Sequence, residues 1–140
     1  MTFDELQTKL GPQQTSDWTR HNNGGGWINK TAKVDSTAYI EGIVSGNARV
    51  YGDAQVYGNA RVSDNARVYD NAWEVSPLYI QGTLYALTNC RKGHIQIGCE
   101  CHPFEWWQRN GLKLAEHERF TEKQIMEYKA YVDLFERIGR

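Results

Sequence analysis

Five six-residue blocks run without a break through the middle of the chain: Val44-Ser-Gly-Asn-Ala-Arg49, Val50-Tyr-Gly-Asp-Ala-Gln55, Val56-Tyr-Gly-Asn-Ala-Arg61, Val62-Ser-Asp-Asn-Ala-Arg67 and Val68-Tyr-Asp-Asn-Ala-Trp73. A fixed period of six fits neither the 3.6 of a helix nor the 2 of a strand. Short fixed periods are the mark of a solenoid, in which each repeat buries its apolar side only by stacking on its neighbours.

The chemistry of one block gives the shape. The leading valine is β-branched and suits a short inward-facing strand. The alanine four places on fits a crowded interior corner. Gly, Asp and Asn in the third and fourth places tolerate left-handed backbone angles, so every block contains a turn. Three blocks close a triangular coil, and residues eighteen apart then lie one above the other at the strand spacing of about 4.8 Å. This predicts Val44 on Val62 and Ile80, Val50 on Val68, Asn47 on Asn65, Asp53 on Asn71 and Tyr51 on Tyr69, like on like throughout.

The pattern starts before its clearest part, with Ile28, Val34 and Ile40 each followed four places later by a small residue or Val44. From Ile40 to Val50 the spacing is ten instead of twelve, so two residues are missing from one corner. Beyond Trp73 the pattern fades and returns at Ile80-Gln-Gly-Thr-Leu84. The expected organisation is an N-terminal helix and Gly-rich loop over 1–27, a repeat coil over 28–89, and a Cys/His segment with a helical cap over 90–140. In the last part Thr121 and Gln124 read as a capping box with Phe120 and Ile125 as its hydrophobic staple. Ile125, Tyr128, Tyr131, Val132, Leu134, Phe135 and Ile138 fall on one broad half of the helix that follows. Pro103 opens and Asn110-Gly111 ends a shorter helix carrying Trp106 and Trp107.

Over about Ile28 to Tyr85 the chain resembles the hexapeptide-repeat, left-handed parallel β-helix proteins. The resemblance implies a mainly β fold of about three triangular coils. Asp35 and Glu41 follow that family's preference after the aliphatic residue, whereas Tyr51, Tyr57, Ser63 and Tyr69 depart from it. The whole chain also resembles short bacteriophage and prophage members of the class, which share the Asn23-Gly-Gly-Gly-Trp27 type of opening and the Ile97-Gly-Cys…His102…Trp106 type of closing segment.

A net charge of −1 and a pI near 6.4 carry no strong signal for nucleic acid. No apolar run approaches the roughly 20 residues of a membrane helix. Three cysteines without a secretory leader point to reduced thiols and a cytoplasmic setting, the host cytoplasm if the gene is a phage gene.

Three groups of residues are candidates for chemistry. Arg49, Arg61 and Arg67, with Trp73 in the same last place, and Tyr51, Tyr57 and Tyr69 line the outside of the coil. They are expected to bind a partner, since arginine grips carboxylates and phosphates and tyrosine makes good contact area. Trp18, His21, Gly24, Gly25 and Gly26 form a candidate ligand loop at the start of the coil, although no Lys-Ser/Thr follows as in a P-loop. Cys90, His94, Cys99, Cys101 and His102 supply thiolate and imidazole, the ligands of zinc, but not in the paired spacing of common zinc modules, and packing is the favoured reading.

Many hexapeptide-repeat proteins are trimeric acyltransferases with a histidine base at a subunit cleft, and that enzyme is the alternative function. No histidine lies within the repeats here. The expected function is therefore a non-catalytic, oligomeric binding protein, a homotrimer by preference. A phage-encoded inhibitor of a host defence complex and a small-nucleotide sequestering protein are its two concrete forms.

Overall fold

The structure is a computed structural model that describes residues 1–139, and the chain divides into two compact units, Met1–Pro77 and a second beginning at Leu78. The first opens with α1 (Phe3–Leu10). Thr2 caps it reciprocally: its hydroxyl accepts from the Glu5 amide at 3.1 Å and its own amide donates to the Glu5 carboxylate at 3.3 Å. Ten short strands follow: β1 (Trp18–Arg20), β2 (Trp27–Asn29), β3 (Lys33–Val34), β4 (Tyr39–Ile40), β5 (Ile43–Val44), β6 (Arg49–Tyr51), β7 (Gln55–Val56), β8 (Arg61–Val62), β9 (Arg67–Tyr69) and β10 (Ala72–Trp73).

These strands form three sheets, each taking every third strand of the repeat: β2-β5-β8, β3-β6-β9 and β4-β7-β10. All pairs within them are parallel, and β1 adds antiparallel to the β2 edge. The eighteen-residue stacking holds for Val44 on Val62, Val50 on Val68 and Tyr51 on Tyr69. Earlier pairs are sixteen apart, as in Ile28 on Val44, Val34 on Val50 and Ile40 on Val56. This is the corner shortened by two residues. It turns at Gly42, where a Cβ would collide with the Ala60 carbonyl, so only glycine lets the chain pass that close.

Every block turns at its third place. Gly46, Gly52, Gly58, Asp64 and Asp70 have φ of 61°, 61°, 51°, 55° and 37°. The leading valines and the corner alanines Ala48, Ala54, Ala60 and Ala66 are at most 2% exposed and form the interior. Acids from the preceding turn of the coil satisfy the corner amides: Gly52 N–H donates to Asp35 at 2.7 Å and Gly58 N–H to Glu41 at 2.9 Å. At the beginning of the coil, Leu6 of α1 packs with Trp18, Trp27 and Ile43 and covers the β2-β5 side.

Trp73 requires a correction. The hexad places it outside with the arginines, yet it is 2% exposed and pairs with Val56, while Ala72 takes the outer position beside Gln55. The last block is one residue short. A strict period would put Glu74 in the next inward slot, and an unpaired buried carboxylate is prohibitive. Slipping by one residue turns every side chain over and buries Trp73 instead.

The parallel ladders also end there, short of residue 89. Instead of stacking on Val62, Ile80 lies in β11 (Tyr79–Gln81) and pairs with Leu87 of β12 (Ala86–Thr88) in an antiparallel hairpin. With β13 (His94–Ile97) and β14 (Glu100–Pro103) they make a four-stranded antiparallel meander. Pro77 and the turn at Gly82 favour this outcome over another hexad.

Two helices, α2 (Phe104–His117) and α3 (Glu122–Ile138), complete the second unit. The predicted capping box of α3 is present, with Gln124 N–H on Thr121 Oγ1 at 3.2 Å and the return bond at 2.8 Å. Tyr128, Val132 and Phe135 of α3 and Trp107 of α2 pack with Leu87 and Ile95 of the meander, leaving Met126 and Ile138 exposed. The Tyr128 hydroxyl is fully used: it accepts from the Leu84 and Tyr85 amides at 2.9 and 2.6 Å and donates to the Tyr85 carbonyl at 2.9 Å. It thereby fastens the β11–β12 turn to α3, as do Glu127 and Thr83 at 2.6 Å.

Two measurements follow. Trp73→Ala leaves a large internal void and is expected to destabilise the chain by about 3–5 kcal/mol in denaturant unfolding; an outward side chain would change stability by no more than about 0.5 kcal/mol. Tyr128→Phe removes the partner of the Leu84 and Tyr85 amides, while the Tyr85 carbonyl keeps the Gly82 amide at 3.2 Å, and is expected to cost about 1–3 kcal/mol in the same assay.

Candidate functional site

The arginines and tyrosines of the coil do not share one surface. Successive blocks occupy successive faces, so residues six apart diverge and only those a full turn of the coil apart, sixteen to eighteen residues, meet. On the second face, Lys33, Arg49 and Arg67 form one outer column and Tyr51 and Tyr69 the next. The two rings stack with centroids 4.8 Å apart and planes within 15°. Arg49 Nη1 reaches the Tyr51 hydroxyl at 3.5 Å.

Tyr57 lies on the third face beside Tyr39, with ring centroids 5.5 Å apart. Its hydroxyl donates to Gln55 and that of Tyr39 to Glu41, each at 2.8 Å. The Glu41 carboxyl is held below its usual range, first by the Gly58 amide and then by the Tyr39 hydroxyl. Glu74 follows Trp73 on this face and is exposed. Arg61 projects from the first face, in register with Ile43. Asp35 follows Val34 on the second face as Glu41 follows Ile40 on the third. The second face thus carries Lys33, Arg49 and Arg67 against Asp35, the third carries Glu41 and Glu74, and both carry tyrosine.

The glycine loop is held from within. Trp18 is 6% exposed in the α1 core and its indole N–H donates to Gln13 at 3.2 Å. His21 Nε2 lies 2.8 Å from the Ala38 carbonyl, and Gly26 N–H donates to the Ile40 carbonyl at 2.6 Å. A Cβ at Gly24 or Gly26 would collide with the Ile40 backbone. These glycines let the loop lie flat on the coil, and of the three only Gly25 has free space around it.

The five Cys and His residues do not converge. The alternation of β14 against β13 is the reason. Cys101 shares a sheet face with Gln96, whereas His102 pairs with Ile95 on the opposite face and stacks on Trp106 at 3.5 Å. Cys99 sits exposed in the turn between the strands, and His94 Nδ1 lies 2.8 Å from the Lys92 carbonyl. Among the described residues, no group of three or more His, Cys, Asp or Glu is placed to hold a metal ion. Cys90 and Cys101 do meet. The buried Cys90 thiol donates to Cys101 and is pushed up by that bond and by burial, while the same bond and nearby Arg91 lower Cys101. Trp107 is core: its indole N–H donates to the Ile95 carbonyl at 2.9 Å.

One site escaped the sequence reading. Between α2, α3 and the β13–β14 turn lies a cavity of about 390 Å³, walled by Tyr85, Ile97, Trp107, Phe120, Tyr128 and Val132. Glu100, Glu118 and Lys129 also line it. Gly111 is one of its lining residues. Asn110-Gly111 does not end α2, because Leu112 to Glu116 are good helix formers and carry the helix to His117. Gly111 therefore sits inside a helix, at a cost of about 1 kcal/mol relative to alanine. Its φ is not positive, and a Cβ at this position would meet nothing nearer than Trp107 at 3.9 Å. A Cβ would fit there, at a position that lines the cavity.

Neither a curated protein nor a solved structure matches the chain. Three overlapping stretches, residues 44–58, 54–65 and 60–75, match the family model described as YdcK Beta solenoid repeat. These residues build the regular part of the parallel ladders, and over them the chain is similar to β-solenoid repeats.

Proposed function

We propose that this chain is a non-catalytic, oligomeric binding protein whose coil, left-handed and of about three turns, assembles three copies side by side. The observation that supports this is the opposite character of two neighbouring faces. The Lys33-Arg49-Arg67 column with the stacked Tyr51 and Tyr69 is basic, and the next face carries Glu41 and Glu74 with Tyr39 and Tyr57. The remaining face is partly covered by α1. A basic face on one copy against an acidic face on the next is a head-to-tail contact, and such a contact forms a closed ring when the rotation between copies closes. A ring of three requires each copy to be turned by 120° relative to the last.

Magnitudes divide the labour. Exposed ion pairs give about 0.2–1 kcal/mol each, whereas each buried aromatic removes about 150–250 Å² from water. Tyrosine supplies the affinity and charge sets the register and the partner. An acidic protein would fit the same basic column, which is the form a foreign partner would take.

Light scattering should give three times 16.1 kDa for the wild type. Tyr51→Ser with Tyr69→Ser should return it to a single chain, and Arg49→Glu should do so in a salt-dependent way. Arg61→Glu, on the other face, should leave the mass unchanged. A wild type that stays monomeric at micromolar concentration would sink the assembly.

A further inference from the structure

We propose that the cavity between α2 and α3 is a binding site for a small hydrophobic amine, a flat apolar body bearing one protonated nitrogen. The site lies within one unit of one chain and is independent of whether copies assemble.

Three observations carry this. The first is size: about 390 Å³ falls in the lower part of the range of about 300–1,000 Å³ occupied by small-molecule pockets. The second is Gly111. A glycine inside a helix is explained when a positive φ or a close approach requires it. Here neither applies, since a Cβ would meet nothing nearer than Trp107 at 3.9 Å. The missing side chain leaves that part of the cavity lining open.

The third is the distribution of polarity. The walls are mostly aromatic and aliphatic, and the polar atoms of two of them are already occupied. Trp107 Nε1–H bonds the Ile95 carbonyl at 2.9 Å, and the Tyr128 hydroxyl is saturated by Leu84 and Tyr85. A ligand therefore finds no hydrogen-bond partner in these two aromatic walls. Water there is poorly bonded, and an apolar body displaces it with gain. The ligand's polar group belongs among the charged lining residues. Those are Glu100, Glu118 and Lys129, two carboxylates to one ammonium. That surplus, in a cavity also lined by the aromatic rings of Tyr85 and Phe120, favours a cation over an anion. Glu100 also lies 3.5 Å from His102 Nε2, which leaves its other oxygen available.

The probes are 2-naphthylmethylamine, its neutral counterpart 2-methylnaphthalene and the anion 2-naphthoate, titrated by calorimetry and tryptophan fluorescence on the full chain. The amine is expected to bind one per chain and about tenfold or more tighter than the carboxylate. Glu100→Gln with Glu118→Gln should weaken the amine about threefold to tenfold, as two partly exposed charges would, and leave methylnaphthalene unchanged. Gly111→Leu should keep helix content and melting temperature while abolishing binding of all three probes, and Gly111→Ala should raise the melting temperature.

An independent readout needs no variant. Cys99 lines the cavity and is exposed, so saturating amine should slow its alkylation with the same Kd as the calorimetric titration. The proposal is overturned if no probe binds saturably, if naphthoate binds as tightly as the amine, if Gly111→Leu folds and retains affinity, or if Cys99 is not protected. Loss of the trimer with retained amine binding would overturn the assembly alone.

Discussion

Everything in the first unit depends on a backbone turn through the left-handed region at the third place of each block. Five consecutive corners adopt it, three with glycine and two with aspartate. That single repeated angle ends each strand after two or three residues and sends the chain onto the next face. It also returns residues eighteen apart to the same column. The valine interior, the corner alanines and the outer columns of tyrosine and arginine all follow from where the corner falls. A β-branched residue at those positions would oppose the turn, and none occurs there.

Much of this was legible because glycine, asparagine and aspartate announce corners by their chemistry. The stacking of Tyr51 on Tyr69 and Val50 on Val68 followed from the period alone. Legibility failed where a local pattern persisted after its register had changed. The last block is spelled like the others, yet Trp73 is inside; the signal was Glu74, which cannot occupy the next interior slot. Ile80 likewise resumed the spacing of the repeat, but in a segment whose alternation and central turn suit a hairpin. Tyr57 and Arg61 were grouped with Tyr51 and Arg49 by composition, although a period of six separates them by a face.

The second unit shows a different limit. The α3 capping box was plain in sequence because it is a local exchange of hydrogen bonds. The five Cys and His residues were close in sequence but alternate across a strand pair, so closeness along the chain did not become convergence in space. The cavity was hidden because Gly111 is an ordinary helix terminator in most contexts. Only the strong helix-forming run after it reveals that the glycine sits mid-helix, where its lack of a side chain becomes an absence of packing.

The two irregularities of the coil lie at its margins, the shortened corner at Gly42 and the one-residue slip before Trp73. Between them the register is uniform and each layer touches only its neighbours. The coil is thus modular in its length. A segment of eighteen residues inserted between Val50 and Val68 would add one layer, lengthen each outer column by one residue, and leave both α1 and Trp73 with their present neighbours. The height of the solenoid, and with it the number of tyrosines and charges on each face, can change by whole layers without any redesign of its ends.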